Sequence, residues 1–251
     1  MEIRLTEPTR HIAVLTIDNQ PRRNAMTRDM IADLAGYWDH LETSEHRCII
    51  VTGAGDRAFT SGADLGGDLS ASPEQAATIN RGLLKTDAFP KPIIAAVNGD
   101  SVAGGLELML SADIRLAAPH ARLGLPEVCW SIYPFGGSTT KLVSQIGFVH
   151  AAEMLLVGAL IDAEEAARIG LVNRVVPADT LMDEALKKAE QIAANSPSAV
   201  QAVKQQISET LAEHVQSREA LEQMLGDKVR ASPHFDEGVS AFLEKRKPNY
   251  D

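Results

Sequence analysis

Three short apolar runs, each closed by turn-forming residues, constrain this chain more than any other feature. Ile12-Ala13-Val14-Leu15-Thr16-Ile17 ends in Asp18-Asn19-Gln20-Pro21, and Cys48-Ile49-Ile50-Val51-Thr52 ends in Gly53-Ala54-Gly55-Asp56. Pro92-Ile93-Ile94-Ala95-Ala96-Val97 runs into Asn98-Gly99. A strand with one wet face alternates polar and apolar residues. These runs are apolar at nearly every position, which predicts strands covered on both faces. Between them, residues 26–40 carry Met30, Ile31, Leu34 and Trp38 on one helical stripe, and a second helical segment spans 73–86. Strands alternating with helices predict βα units around a largely parallel sheet, an α/β fold.

Past residue 180 the strand signals stop. Helical patterns rich in Ala, Gln and Glu run to Lys247, and Ser196-Pro197 and Ser232-Pro233 mark helix starts. The expected organisation is an α/β core over 1–180 and a helical C-terminal region over 181–251, with no repeat or linker separating independent domains. With 251 residues, 45% hydrophobic and 23% charged, the chain can bury a substantial core.

The net charge of −10 disfavours nucleic acid and anionic membranes as partners. An anionic ligand would need a local basic cluster, either Arg22-Arg23 or Lys245-Arg246-Lys247, each of which reads equally as a solvated charge run. No stretch approaches the roughly 20 apolar residues of a membrane span, and the first six residues lack a signal peptide's apolar run. The two cysteines, Cys48 and Cys129, are far apart, and the seven histidines are scattered without ligand spacing. These features predict no disulfide, no metal site, surface histidines and a cytoplasmic location. No P-loop, GxSxG, HExxH or strand-to-helix GxGxxG is present, so no nucleotide cofactor is expected.

The chemistry concentrates in three segments. In Asn98-Gly99-Asp100-Ser101-Val102-Ala103-Gly104-Gly105-Leu106-Glu107, a strand enters a glycine turn and a helix follows. First-turn amides lack internal partners, so the Gly104 amide is a candidate donor to a developing oxyanion. Glu107 lies about one turn further on the same face, among apolar neighbours. Burial there raises a carboxyl pKa toward proton-transfer range. On spacing alone, a first-turn glutamate answering the helix dipole remains an open alternative. Phe59-Thr60-Ser61-Gly62-Ala63-Asp64-Leu65 contains a tight turn able to aim the Ala63 amide outward as a second donor, with Asp64 suited to a helix cap. Leu125-Pro126-Glu127 offers a second carboxylate, though it also reads as an ordinary helix start. Pro134-Phe135-Gly136-Gly137-Ser138 is another glycine turn into a helix.

Together these segments resemble the enoyl-CoA hydratase/isomerase (crotonase) superfamily. The resemblance includes Asn24-Ala25-Met26, the turn from Ala58 to Leu65, the segment from Asn98 to Leu108, Leu125-Pro126-Glu127 and Gly136-Gly137. It continues through Ala167-Arg168-Ile169-Gly170-Leu171-Val172-Asn173 and Phe242-Leu243-Glu244-Lys245-Arg246. It implies a crotonase-like spiral of ββα units with a helical C-terminal extension, assembled as a homotrimer or homohexamer. It also implies an acyl-CoA thioester as substrate, with coenzyme A part of that substrate and no separate cofactor. Ala63 and Gly104 correspond to the family's oxyanion donors, and Glu107 and Glu127 to the carboxylate pair of its hydratases. Arg23, Ala25, Ser61, Asp64, Leu65, Trp130, Phe135, Phe242 and Lys245 fall at substrate-binding positions. In one departure, Phe135 replaces a glycine that adjoins the catalytic water in typical hydratases. An isomerase or decarboxylase on the same scaffold, or a non-catalytic acyl-CoA-binding protein, is the competing expectation to an enoyl-CoA hydratase.

Overall fold

A computed structural model describes residues 1–64 and 72–251. Its large sheet contains β1 (Glu2–Thr9), β2 (Ile12–Asp18), β3 (Cys48–Gly53), β5 (Ile93–Val97), β7 (Ile114–Ala117) and β10 (Arg174–Val175), in the order β1-β2-β3-β5-β7-β10. All neighbours pair in parallel except β1 and β2. A smaller sheet orders β4 (Ala58–Thr60), β6 (Asp100–Val102), β8 (Arg122–Gly124) and β9 (Ile161–Asp162) as β4-β6-β8-β9. Successive strand pairs therefore divide their members: β3, β5 and β7 join the large sheet, while β4, β6 and β8 join the small one. This is the expected spiral of ββα units. The small sheet as a sheet, and the large-sheet strands β1, β7 and β10, go beyond the strands read from the sequence.

The apolar runs are buried on both faces for the expected reason. Ile49 and Val51 of β3 pack into one core cluster, while Cys48 and Ile50 pack into another. The first cluster is closed by α1 (Arg28–Thr43), which contributes Met30, Ile31, Leu34, Trp38 and Leu41. Thr27 starts α1, its side chain accepting from the Met30 amide at 3.2 Å. Trp38 is fully buried yet satisfied, its indole N–H donating to Gly82 O at 3.0 Å. Gly82 ends α2 (Pro73–Gly82), which begins with a capping box between Ser72 and Gln75.

The second cluster is closed by Leu181, Ala185 and Ala189 of α7 (Leu181–Ala193). In chain order, α3 (Gly104–Met109), α4 (Ser138–Ile146), α5 (Phe148–Val157) and α6 (Ala163–Arg168) all fall between β6 and β10. After α7 come α8 (Pro197–Arg230) and α9 (Pro233–Glu244), beginning at the two prolines the sequence marks. Ion pairs fasten α8 to the core: Lys204 to Asp113 at 2.7 Å, and Lys85 to Glu222 at 2.6 Å and to Glu219 at 3.5 Å. No helix among the described residues is long and apolar enough to cross a membrane.

One expectation fails. His46 is buried instead of exposed, and its ring is satisfied there by Glu7 at 3.3 Å and by a 3.0 Å hydrogen bond with the Ser44 hydroxyl. Burial pushes its pKa down.

Candidate active site

β4 and β6 are parallel neighbours, and each runs directly into a turn that presents an amide. After β4, Gly62 adopts φ +88°. Met26 grips this turn from one side: its amide donates to Gly62 O at 2.8 Å, and its carbonyl accepts from the Asp64 amide at 2.9 Å. Peptide groups alternate along extended chain, so this bridge leaves the Ala63 amide facing away from Met26. After β6, Ala103 is held at φ 53°, ψ −128°, an unfavourable backbone for an L-residue, with its amide bound to Gly124 O at 3.0 Å. The Gly104 amide follows this bend in the unpartnered first turn of α3.

The two turns nearly touch. A Cβ on Gly104 would lie 3.6 Å from Ala63 N, and one on Gly62 only 2.8 Å from Gly104 N. Two preorganised amides this close can serve one carbonyl oxygen.

Glu107 is 5% exposed and sits in α3 immediately after this turn. Its Oε1 accepts from the Gly136 amide at 2.7 Å and the Ser138 hydroxyl at 2.9 Å. Gly136 must be glycine here, because a Cβ would overlap the Glu107 carboxylate. Burial raises the Glu107 pKa, against the opposing pull of those two donors and of the Lys141 and Lys85 ammonium groups. Lys141 is itself buried, donating to Leu84 O and Ser111 Oγ, both at 2.9 Å, and desolvation brings its pKa down to about 7.

Glu127 occupies a short 3-10 turn, Pro126–Trp130, instead of the start of an α-helix. It is 8% exposed, and its Oε2 meets no hydrogen-bond donor among the described residues. Burial, and then the negative charge of Glu107, raise its pKa well above the usual carboxylate range. The pair is therefore asymmetric: Glu107 is pinned by two donors, while Glu127 keeps an oxygen for a further partner. Such a pair can take a proton at one position and deliver one at another.

The remaining expected residues fall into separate groups. Arg23 pairs with Asp100 at 3.3 Å, and Arg22 pairs with Asp64, so both arginines border the Ala63 turn. Ser61 donates its amide to Arg23 O at 3.1 Å, and Ala25 is buried, its carbonyl held by Asn19 at 2.7 Å. Leu65 lies outside the described residues. Trp130, Phe242 and Lys245 line a separate open cavity of about 720 Å³, where the Trp130 and Phe242 rings meet edge-on at 5.3 Å. Phe135 directs its ring onto α8, under Arg230 at 5.3 Å and beside Tyr133 at 5.5 Å. The sequence reading missed Ser138 as a partner of Glu107, and Lys141 and Lys85 behind it. The only local signal was the glycine turn at 136–137.

Comparisons with known proteins bear on the family and the fold. The family described as enoyl-CoA hydratase/isomerase matches residues 7–251. An enoyl-CoA hydratase of Mycobacterium tuberculosis is 38% identical, aligned over 98% of this chain and 95% of its own length. The 2,3-dehydroadipyl-CoA hydratase of Escherichia coli is 36% identical, over 95% and 94%. The crystal structure of an enoyl-CoA hydratase/isomerase from Pseudoalteromonas atlantica superposes with a TM-score of 0.90 at 31% identity, covering 99% of both chains. Matched end to end by both sequence and fold, the chain belongs to the enoyl-CoA hydratase/isomerase (crotonase) superfamily.

Proposed function

We propose that this protein is an enoyl-CoA hydratase, adding water across the C2–C3 double bond of a 2-enoyl-CoA thioester. The observation that carries the reading is the asymmetric buried pair, in which Glu107 is fixed by Gly136 and Ser138 while Glu127 has an oxygen with no partner among the described residues. Hydration needs two proton movements, and two carboxylates supply them. The thioester oxygen accepts from the Ala63 and Gly104 amides, which draws electron density from C3. One carboxylate takes a proton from water as the water oxygen bonds C3. The π electrons move toward the thioester oxygen, and the resulting enolate is held by the two amides. Collapse of the enolate forms the C2–H bond with a proton from the carboxylic acid side of the pair. Water is the only co-reactant consumed, and the thioester bond to coenzyme A stays intact throughout. The similar hydratases from Mycobacterium tuberculosis and Escherichia coli support this reading.

The substrate's coenzyme A portion carries the anionic charge that Arg23 and Lys245 would meet. A cytoplasmic homotrimer or homohexamer completes the proposal. The test is turnover of a panel of 2-enoyl-CoA esters without added metal or nucleotide, with products identified by mass. A product heavier by one water is expected, whereas an isomer of unchanged mass would replace the hydratase reading with an isomerase. Glu107→Gln and Glu127→Gln should each lower kcat by about 10²–10⁴-fold. Acyl-CoA affinity should stay within about tenfold, because the oxyanion donors are backbone. Full activity in both variants would overturn the mechanism.

A further inference from the structure

One stripe of α8 faces the loop that serves Glu107. Val215, Glu222, Gly226 and Arg230 recur at helical spacing on that stripe, and the first three are buried. Each meets the catalytic end of the core at a different point. A Cβ on Gly137 would come within 2.9 Å of Val215 Cγ1. Glu222 pairs with Lys85 at 2.6 Å. Gly226 opens a notch that the Phe135 ring fills, so closely that a Cβ at 226 would overlap the ring. Arg230, one turn on, lies over the same ring at 5.3 Å, within cation–π range. The residue after Phe135 is Gly136, whose amide donates to Glu107 Oε1 at 2.7 Å.

We infer that Phe135 is a positioning residue: seated in the Gly226 notch of α8, its ring holds the loop whose Gly136 amide fixes Glu107. The inference rests on reading Glu107 as an acid–base group. The ring hangs through Cβ, two bonds from the Cα that precedes the Gly136 amide, so displacing it swings the amide that Glu107 needs. Losing that amide removes a donor that favours the ionised carboxylate, leaving Glu107 harder to ionise. The charged groups that face Glu107 are Lys141 of α4, Lys85 after α2, Glu222 of α8 and Glu127 of the 3-10 turn, and none of them replaces the amide.

Gly226→Ala separates this role from general helix stability. Alanine is the better helix former, so propensity alone predicts a stabilised α8. Only the clash with Phe135 reverses that sign. Exchange of the Gly136 amide hydrogen, read by NMR, should speed up by about tenfold or more in Gly226→Ala. The ascending limb of the kcat/KM pH profile should move to higher pH by about half a unit or more. In a Phe135→Gly background, Gly226→Ala should add nothing to either readout, because the ring is gone. Parent-like exchange and an unmoved limb in Gly226→Ala would overturn the inference, as would equal effects of Gly226→Ala in both backgrounds. If Gly226→Ala does not fold, Phe135→Gly alone must show the faster Gly136 exchange, and parent-like protection there overturns the inference. If the parent hydrates no enoyl-CoA, the proposed reaction fails, while the exchange measurement still decides the role of Phe135.

Discussion

Glu107 and Gly136, 29 residues apart in sequence, are so close that the glycine amide bonds the carboxylate and no side chain fits between them. Gly136→Ala should therefore push the carboxylate off its two donors. A loss in kcat of about 10²–10⁴-fold is expected, the range for a misplaced acid–base group. Ser138→Ala should cost less, because the 136 amide remains. Steady-state kinetics on one enoyl-CoA checks both, and parent-like kcat in Gly136→Ala would refute the assigned contact.

The two proposed oxyanion amides give a second contrast. Gly62 adopts φ +88°, and a Cβ there would lie 2.8 Å from Gly104 N, so Gly62→Ala strains the turn and crowds the second donor. The expected loss is about 10²–10³-fold in kcat, comparable to removing one oxyanion donor. Gly104→Ala should leave the fold intact, because its Cβ would make ordinary contacts at 3.6 Å, and should act on KM through the narrowed mouth. Equal kcat values for the two variants would contradict the geometry.

The raised carboxyl pKa values imply a stability cost that depends on pH. Unfolded glutamate titrates near about 4.3, whereas folded Glu127 holds its proton well above that. In the window between those values the folded state binds more protons than the unfolded one. Stability therefore falls as pH rises through the window and levels off above the folded pKa. Glu127→Gln removes this slope and the cost of an unpartnered buried charge, about 1–3 kcal/mol or more. Its melting temperature should exceed the parent's by roughly 2–4 °C per kcal/mol, with the gap widening from acidic to mildly basic pH. Scanning calorimetry across that range tests the sign, and a gap that narrows as pH rises would refute it.

The Lys85–Glu222 pair, with side chains 5% and 4% exposed, should follow the behaviour of buried ion pairs. Lys85→Met leaves Glu222 charged and buried, at a cost of about 3–5 kcal/mol. Lys85→Met with Glu222→Leu should regain most of that loss. Denaturant unfolding of the single and double variants measures the coupling, and simple additivity would count against a buried pair.

Legibility in the sequence followed the length of each signal. The runs at β2, β3 and β5 and the α1 stripe were readable because several consecutive residues share one cause, burial on the sheet's faces. The starts of α8 and α9 were readable because Ser-Pro is a local cap signal. The small sheet was not readable, because β4, β6 and β8 span three residues each and too little sequence remains to show a period. Asp162 of β9 caps α6 as well, so the strand signal there is masked by a cap. The partners of Glu107 were hidden for a different reason: a contact across 29 residues leaves no spacing to find. His46 reads as a surface histidine until β1 brings Glu7 beside it.

Because both proposed oxyanion donors are main-chain amides set by two adjacent strands, carbonyl activation under this proposal is insulated from most of the genetic code. Nearly any single-residue exchange at 63, other than to proline, leaves that amide in place, whereas exchanges at 107 or 127 alter the proton chemistry directly. A library that holds 61–64 and 103–105 fixed and randomises 107, 127 and 133–135 should retain thioester polarisation in most folded members. Such a library would sample new reactions on enolates from a common starting intermediate. Within this architecture, reaction type can drift while the capacity to stabilise the enolate is inherited.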